Sequence, residues 1–208
     1  MNVILYVDGF NLYNRMLRYE AGTKWLDLSG LASRLFPNDT VVRVRYFTAK
    51  IKPMDDPSAP QRQNIYLRAL GTDPKVAVHY GFFQINRKWR RLQYPIKGLS
   101  ESARVKLPEE KGSDVNLASY LLVDGFQGDY QKAAVLTNDA DLAEPIRLVG
   151  SVLGLPVVLV YPTVKPAGKL VSVQPSQLLK LSPSTLRASQ FPEQLIDSTG
   201  IFHRPIGW

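Results

Sequence analysis

Three short stretches of this chain are apolar without a break: Val3-Ile4-Leu5-Tyr6-Val7, Ala133-Ala134-Val135-Leu136 before Thr137, and Val157-Val158-Leu159-Val160-Tyr161. A strand with one wet face alternates polar and apolar residues, so a run with no polar partner face must be covered on both sides. Such strands belong to parallel sheets flanked by helices. The intervening sequence fits. Further strands are expected over Val41–Thr48 and Val76–Phe83. Helical patterns follow Asp8-Gly9-Phe10-Asn11 (through Leu12, Met16 and Leu17), span about Leu28–Phe36 and Gln61–Leu70, and cover Asp139–Leu153. Another starts at Ser113 as its cap and runs to about Val123, with Val115, Ala118, Leu121 and Leu122 on its buried face. Asp55–Pro60 reads as a proline-rich loop. Strands alternating with helices predict an α/β fold with a mostly parallel, doubly wound sheet.

The pattern weakens after Tyr161. From Pro162 to Trp208 there are six prolines and little periodicity beyond Ser176–Leu181, yet Leu186, Phe191, Ile201, Phe202 and Trp208 are too apolar for a free linker. The expected organisation is therefore a domain over residues 1–162 and a proline-rich C-terminal extension over 163–208, packed on the domain or on a second subunit. No stretch approaches the ~18–20 apolar residues of a membrane span, and Val3–Val7 lacks the basic flank of a signal peptide. A cytoplasmic protein is expected.

Composition limits the chemistry. There is no cysteine and there are two histidines, so thiolate catalysis and Cys- or multi-His-ligated metals are excluded. Any metal must sit on carboxylates, which favours Mg²⁺ or Mn²⁺. The net charge of +8 is unevenly placed: Arg43 to Lys106 holds 14 Lys/Arg against 4 Asp/Glu, and the remainder 12 against 14. A localised basic surface predicts a polyanionic partner.

In doubly wound sheets, ligands bind outside the carboxyl ends of the strands, where the strand order reverses. Asp8 follows the first strand, Asp139 and Asp141 follow the strand ending at Thr137, and Asp114 begins a helix. Each has an ordinary reading as well. Asp139 or Asp141 caps a helix, with Glu144 completing a capping box for Asp141. Asp114 suits a helix dipole, and Asp8-Gly9 a turn. Four acids at one edge of a basic protein are better explained by a divalent cation and metal-assisted phosphoryl transfer.

Val7-Asp8-Gly9-Phe10-Asn11, Glu110-Lys111-Gly112-Ser113-Asp114-Val115 and Leu136-Thr137-Asn138-Asp139-Ala140-Asp141-Leu142 resemble, in order, the three signature segments of the NYN domain. This is the LabA-like branch of the PIN-related nucleases, and the resemblance, over residues 2 to about 161, is to bacterial single-domain members. It implies a PIN-like three-layer α/β/α fold and a Mg²⁺- or Mn²⁺-dependent ribonuclease leaving a 5′-phosphate and a 3′-hydroxyl. Asp8, Asp114, Asp139 and Asp141 match the family's metal-binding acids, and Asn11 its polar residue beside the first acid. Many members carry glycine where this chain has Asn138, which places a side chain near the phosphate path. Lys111 is a candidate for neutralising charge on the phosphate, whereas Thr137 is read as ending its strand.

The segment Gln84–Lys106 has no helical period and reads as a basic hairpin or extended insertion. Arg87, Lys88, Trp89, Arg90 and Arg91 interleave cations with an aromatic ring, the make-up of a surface that tracks phosphates and stacks bases. Single-stranded RNA is the expected partner; a homodimer and a regulatory protein partner stay open. Two other readings compete. One is a regulatory RNA-binding module with a vestigial metal site. The other is a haloacid-dehalogenase-like phosphatase, which needs a second acid where this chain has Phe10. His79 is read as structural.

Overall fold

The computed structural model describes residues 1–53, 56–95, 97–98 and 100–208. Met54 and Asp55, in and beside the expected Asp55–Pro60 loop, and Ile96 and Leu99, in the expected insertion, lie outside the described residues. Strand β1 (Asn2–Asp8) occupies the middle of a parallel sheet, between β2 (Thr40–Thr48) and β6 (Lys132–Leu136). Outward lie β3 (Val76–Tyr80) beyond β2, and β7 (Val157–Tyr161) then β8 (Gln177–Lys180) beyond β6. The order β3-β2-β1-β6-β7-β8 reverses direction between β1 and β6. That is where a crevice opens in such sheets.

The unbroken apolar run of β1 is explained by two cores. Val3, Leu5 and Val7 face α1 (Gly9–Leu12), α2 (Leu28–Leu35) and α3 (Ala59–Leu70), in a cluster with Leu12, Leu28 and Leu70. Ile4 and Tyr6 face α4 (Ser113–Gln127), α5 (Ala143–Ser151) and α6 (Gly168–Ser172), in a cluster with Leu117, Ile146 and Leu170. Among the described residues, no helix is long and apolar enough to cross a membrane.

Several boundaries differ from the sequence expectation. The stretch Val76–Phe83 is not one strand: it breaks at Gly81, where a Cβ would collide with the Lys111 carbonyl and the Glu110 carboxylate. Beyond the break, β4 (Phe82–Arg91) and β5 (Ser102–Lys111) form an antiparallel ribbon outside the sheet. Helix α4 is capped by Gly112 at φ 94°, not by Ser113, whose hydroxyl instead donates to Glu110. Its buried stripe runs through Leu117, Leu121 and Asp124, leaving Val115 exposed. The stripe is rotated because its last member is a carboxylate that binds Arg45.

Tyr161 does not end the last strand of the sheet, because residues 177–180 supply β8. The rest of the chain packs on its own domain through α7 (Pro183–Arg187), β9 (Gln194–Asp197) and β10 (Gly200–His203). Leu186 and Phe202 join the first core, and the Trp25 indole N–H donates to the Pro192 carbonyl at 2.8 Å. Arg68 donates to both Asp197 carboxylate oxygens at 2.7 Å and lies 4.0 Å from the Phe202 ring centre.

Beneath α4, the Arg45 guanidinium donates to the Asp124 carboxylate at 2.6 and 2.7 Å, and the Tyr6 hydroxyl donates to the same carboxylate at 2.6 Å. His79 lies 3.1 Å from the third guanidinium nitrogen and stacks on Phe47. Burial, then the Arg45 charge, lowers its imidazole pKa to about 4. His79 is thus a neutral ring in a buried network.

Candidate active site

Asp8 ends β1 and caps α1: its Oδ1 accepts the Asn11 backbone N–H at 2.9 Å. Its Oδ2 accepts the Thr137 hydroxyl at 2.9 Å, and that hydroxyl oxygen accepts the Asp139 N–H at 3.0 Å. The Asn11 side-chain carbonyl accepts the Asn138 N–H at 3.0 Å. These bonds tie the turn after β1 to the turn after β6, across the reversal of strand order. Above them lies a cavity of about 300 Å³ whose wall includes Asp8, Asp114, Asp139, Glu110, Asn11 and Arg15. A five-residue π-helix, Tyr13–Leu17, carries Arg15 to it. Such turns are rare and cluster at functional sites.

The carboxylates strain against one another. Burial pushes the Asp8 carboxyl up to about 7; the Asn11 and Thr137 hydrogen bonds oppose this, and the charges of Asp114 and Asp139 add to it. Asp114 is raised first by burial and then by Asp139, Glu110 and Asp141. Among the described residues, no group of three His, Cys, Asp or Glu stands close enough to hold an ion unaided. The donor set is all oxygen, mutually repelling and arranged around a polar cavity. It therefore suits a hydrated hard cation held by one or two carboxylates and its own waters.

The expected site residues separate into groups. Asp8, Asn11, Asp114 and Asp139 share the cavity. Asp141 is exposed beside it, its N–H donating to Asp139 at 2.9 Å. Asp139 thereby caps the short 3₁₀ turn Ala140–Leu142, whereas Glu144 pairs with Arg147 and forms no capping box with Asp141. The Asn138 amide holds the loop before α6, accepting the Ala167 N–H at 2.6 Å and donating to the Lys165 carbonyl at 3.4 Å. Lys111 lies 3.5 Å from Glu109, outside the cavity wall. Neighbouring strand residues face opposite ways, so Glu110 takes the inward position. Glu110 and Arg15 were not singled out from the sequence; only the alternation beside Lys111 pointed to Glu110.

Thr137 does more than end a strand. Its fully buried hydroxyl donates to one site acid and accepts from the backbone of another. In the Thr137→Val protein, Asp8 loses a donor and the Asp139 N–H its acceptor. The expected cost is about 1–3 kcal/mol in a denaturant melt. Any activity that uses these acids should fall about 10–100-fold, as for other residues that orient metal ligands, with Thr137→Ser near wild type. Steady-state rates of the two variants at matched folded fraction check this.

The register of the ribbon sorts its charges onto two faces. On the face shared with the cavity stand Phe83, Ile85, Arg87, Trp89 and Arg91, opposite Glu110, Pro108, Lys106, Arg104 and Ser102 respectively. On the far face, Glu109 takes Lys88 at 3.4 Å and Lys111 at 3.5 Å. Among the described residues, Arg87, Arg104 and Lys106 on the cavity face and Arg90 on the far face make no ion pair, Arg91 pairs with Glu101 at 2.8 Å, and Arg87 lies directly opposite Lys106. Like charges opposed across strands are destabilising. Trp89, 67% exposed, stands two positions beyond Arg87, opposite Arg104.

No family model matches the chain. It is 29% identical over 187 residues to the 6-hydroxy-3-succinoylpyridine 3-monooxygenase HspA of Pseudomonas putida (strain DSM 28022 / S16). The alignment takes in 76% of this chain, which spans 59% of that longer relative. Among solved structures, a protein of unknown function, VPA0982 from Vibrio parahaemolyticus RIMD 2210633, superposes with a TM-score of 0.53 at 14% identity. That match covers 87% of this chain and 93% of the other, and the likeness is one of fold: an α/β architecture around a mostly parallel six-stranded sheet.

Proposed function

We propose that the chain is a Mg²⁺- or Mn²⁺-dependent ribonuclease with a PIN-like three-layer architecture of the NYN kind. In this reading the β4–β5 ribbon is its basic insertion, and the chain beyond β8, rather than all of 163–208, is a C-terminal extension on a single nuclease domain. One observation carries the proposal. A cavity walled by Asp8, Glu110, Asp114 and Asp139 at the sheet reversal adjoins a ribbon whose same face carries the uncompensated Arg87, Arg104 and Lys106. Acids alone would fit many cation sites, and cations alone many polyanions. Side by side, they suit chemistry on a phosphodiester.

Of Asp8, Asp114, Asp139 and Glu110, with Asp141 alongside, one or two would hold the cation directly and the others through its waters. When bound, it supplies a water of lowered pKa and neutralises charge on the scissile phosphate. The chain's own groups do the rest. Thr137 and Asn11 fix the Asp8 carboxylate, and Arg15 offers a cation to a phosphate oxygen at the cavity wall. Arg87, Arg104 and Lys106 hold the flanking backbone, and the repulsion between Arg87 and Lys106 is relieved when a phosphate lies between them. Single-stranded RNA in the cytoplasm is the proposed substrate setting. A phosphatase of the haloacid-dehalogenase kind needs its second acid at Phe10, whose ring instead packs 5.5 Å from Phe83.

The deciding experiment is cleavage of end-labelled single-stranded RNA in Mn²⁺ by wild type and Asp139→Asn prepared side by side. Metal-dependent cleavage that disappears in the variant is expected. Equal cleavage by both refutes the assignment of the site. RNA binding without cleavage in either supports the RNA-binding-module reading instead.

A further inference from the structure

Between the acid cavity and the cationic end of the ribbon lies a second hollow of about 280 Å³. Its wall combines Phe83, Ile85 and Pro108 from the ribbon with Ile51 and Lys52 from the loop after β2. Phe83 packs edge-on against Phe10, which lines the acid cavity, so the two hollows share a partition. From Phe83 to Arg87 is four strand steps, about 14 Å. Ile85, midway, is 45% exposed. A ribbon that only tracked phosphates would need no exposed aliphatic residue between acids and cations. Among the described residues the wall has one acid, Asp56, and it is compensated within the protein: it accepts from the Ser58 hydroxyl at 2.7 Å and pairs with Arg62. It therefore does little to repel an incoming polyanion.

We infer that this hollow is a nucleobase subsite, which takes the base of the nucleotide lying between the phosphate at the acids and those on Arg87 and Lys106. The inference rests on the nuclease reading and adds to it a contact to a base. The ring lies on Phe83, Ile85 and Pro108, and its polar edge is beside Lys52. This is the usual make-up of a small-ligand site, apolar walls with a few polar groups. It is separate from stacking on Trp89, four strand positions beyond Ile85 on the same face.

The test compares a short single-stranded oligoadenylate with an abasic ribose-phosphate oligomer of equal length and charge, by fluorescence anisotropy in EDTA so that nothing is cleaved. Ile85→Ser should weaken oligoadenylate binding roughly tenfold, within the range of a lost base–side-chain contact. It should leave both the abasic oligomer and the salt slope unchanged, because the phosphate contacts are intact. Ile85→Leu should bind like wild type. The subsite is refuted if Ile85→Ser binds oligoadenylate as tightly as wild type, or if it weakens both oligomers equally. In either case the RNA reading stands. If wild type binds neither oligomer, the RNA reading falls and the subsite with it.

Discussion

In a chelator at mildly alkaline pH, the Asp8→Asn protein should melt above the wild type, while in Mn²⁺ it should cleave RNA more than about 100-fold more slowly. The two effects share a cause. Asp8 is 5% exposed, and burial is the largest influence on its carboxyl, which titrates at about 7. The unfolded chain releases this proton near the ordinary value of 3.8, so between 3.8 and about 7 the unfolded state is the more ionised. The stability that comes from keeping the proton is complete below that window and is lost as pH rises through it. The loss amounts to roughly 4 kcal/mol at most. Asparagine keeps the acceptor for the Asn11 N–H and removes the charge, so its melting temperature should stay flat where the wild type declines.

The rate prediction follows from position. Residues that orient metal ligands cost about 10–100-fold when removed, and Asp8 stands one bond closer to the reaction than Thr137. Calorimetric melts across pH in EDTA, with and without added Mn²⁺, test the first half independently of turnover. Divalent metal should raise the wild-type melting temperature and leave Asp8→Asn unmoved. A variant that melts with the wild type at every pH removes the argument that the cavity stores charge strain. One that cleaves RNA at the wild-type rate removes Asp8 from the site.

What could be read in the sequence divides along local and non-local lines. The strands β1, β6 and β7 were legible because an unbroken apolar run has few places to go, and Asp8 and Asp139 because they follow such runs directly. The strand β8 was marked only by the periodicity of Ser176–Leu181, which did not assign it to the sheet. Gln177-Leu178-Leu179-Lys180 is a short edge strand, largely in water, with no run to announce it. Gly81 was hidden inside an apolar stretch, and what makes it break the strand is the approach of Lys111, thirty positions on. Glu110 and Lys111 are neighbours in a signature segment, yet only the pairing of β4 with β5 decides which faces the cavity. The basic middle segment also overstated its surface. Arg45, Arg62 and Arg68 are paired with Asp124, Asp56 and Asp197, so three of its cations are already neutralised within the protein.

Arg45 leads to the largest stability effect. Counted from sequence as a surface cation, it is 7% exposed, and its partner Asp124, 79 residues away, is 1% exposed. Asp124→Asn should lower the folding free energy by about 3–5 kcal/mol, because it strands a guanidinium where water cannot reach it. The Tyr6 hydroxyl, whose titration burial and the Asp124 carboxylate both push upward, loses its charged acceptor in the same step. The loss should not grow when the partners go too. With Arg45→Met, Asp124→Leu and Tyr6→Phe together, no polar group of the trio is left unsatisfied, and the triple variant should recover most of the stability that the single one loses. Urea denaturation of the two proteins decides it. Recovery means that the network costs about as much to desolvate as its contacts return. A triple variant less stable than Asp124→Asn means instead that the pair itself holds α4 on the sheet, and with α4 the position of Asp114 in the cavity.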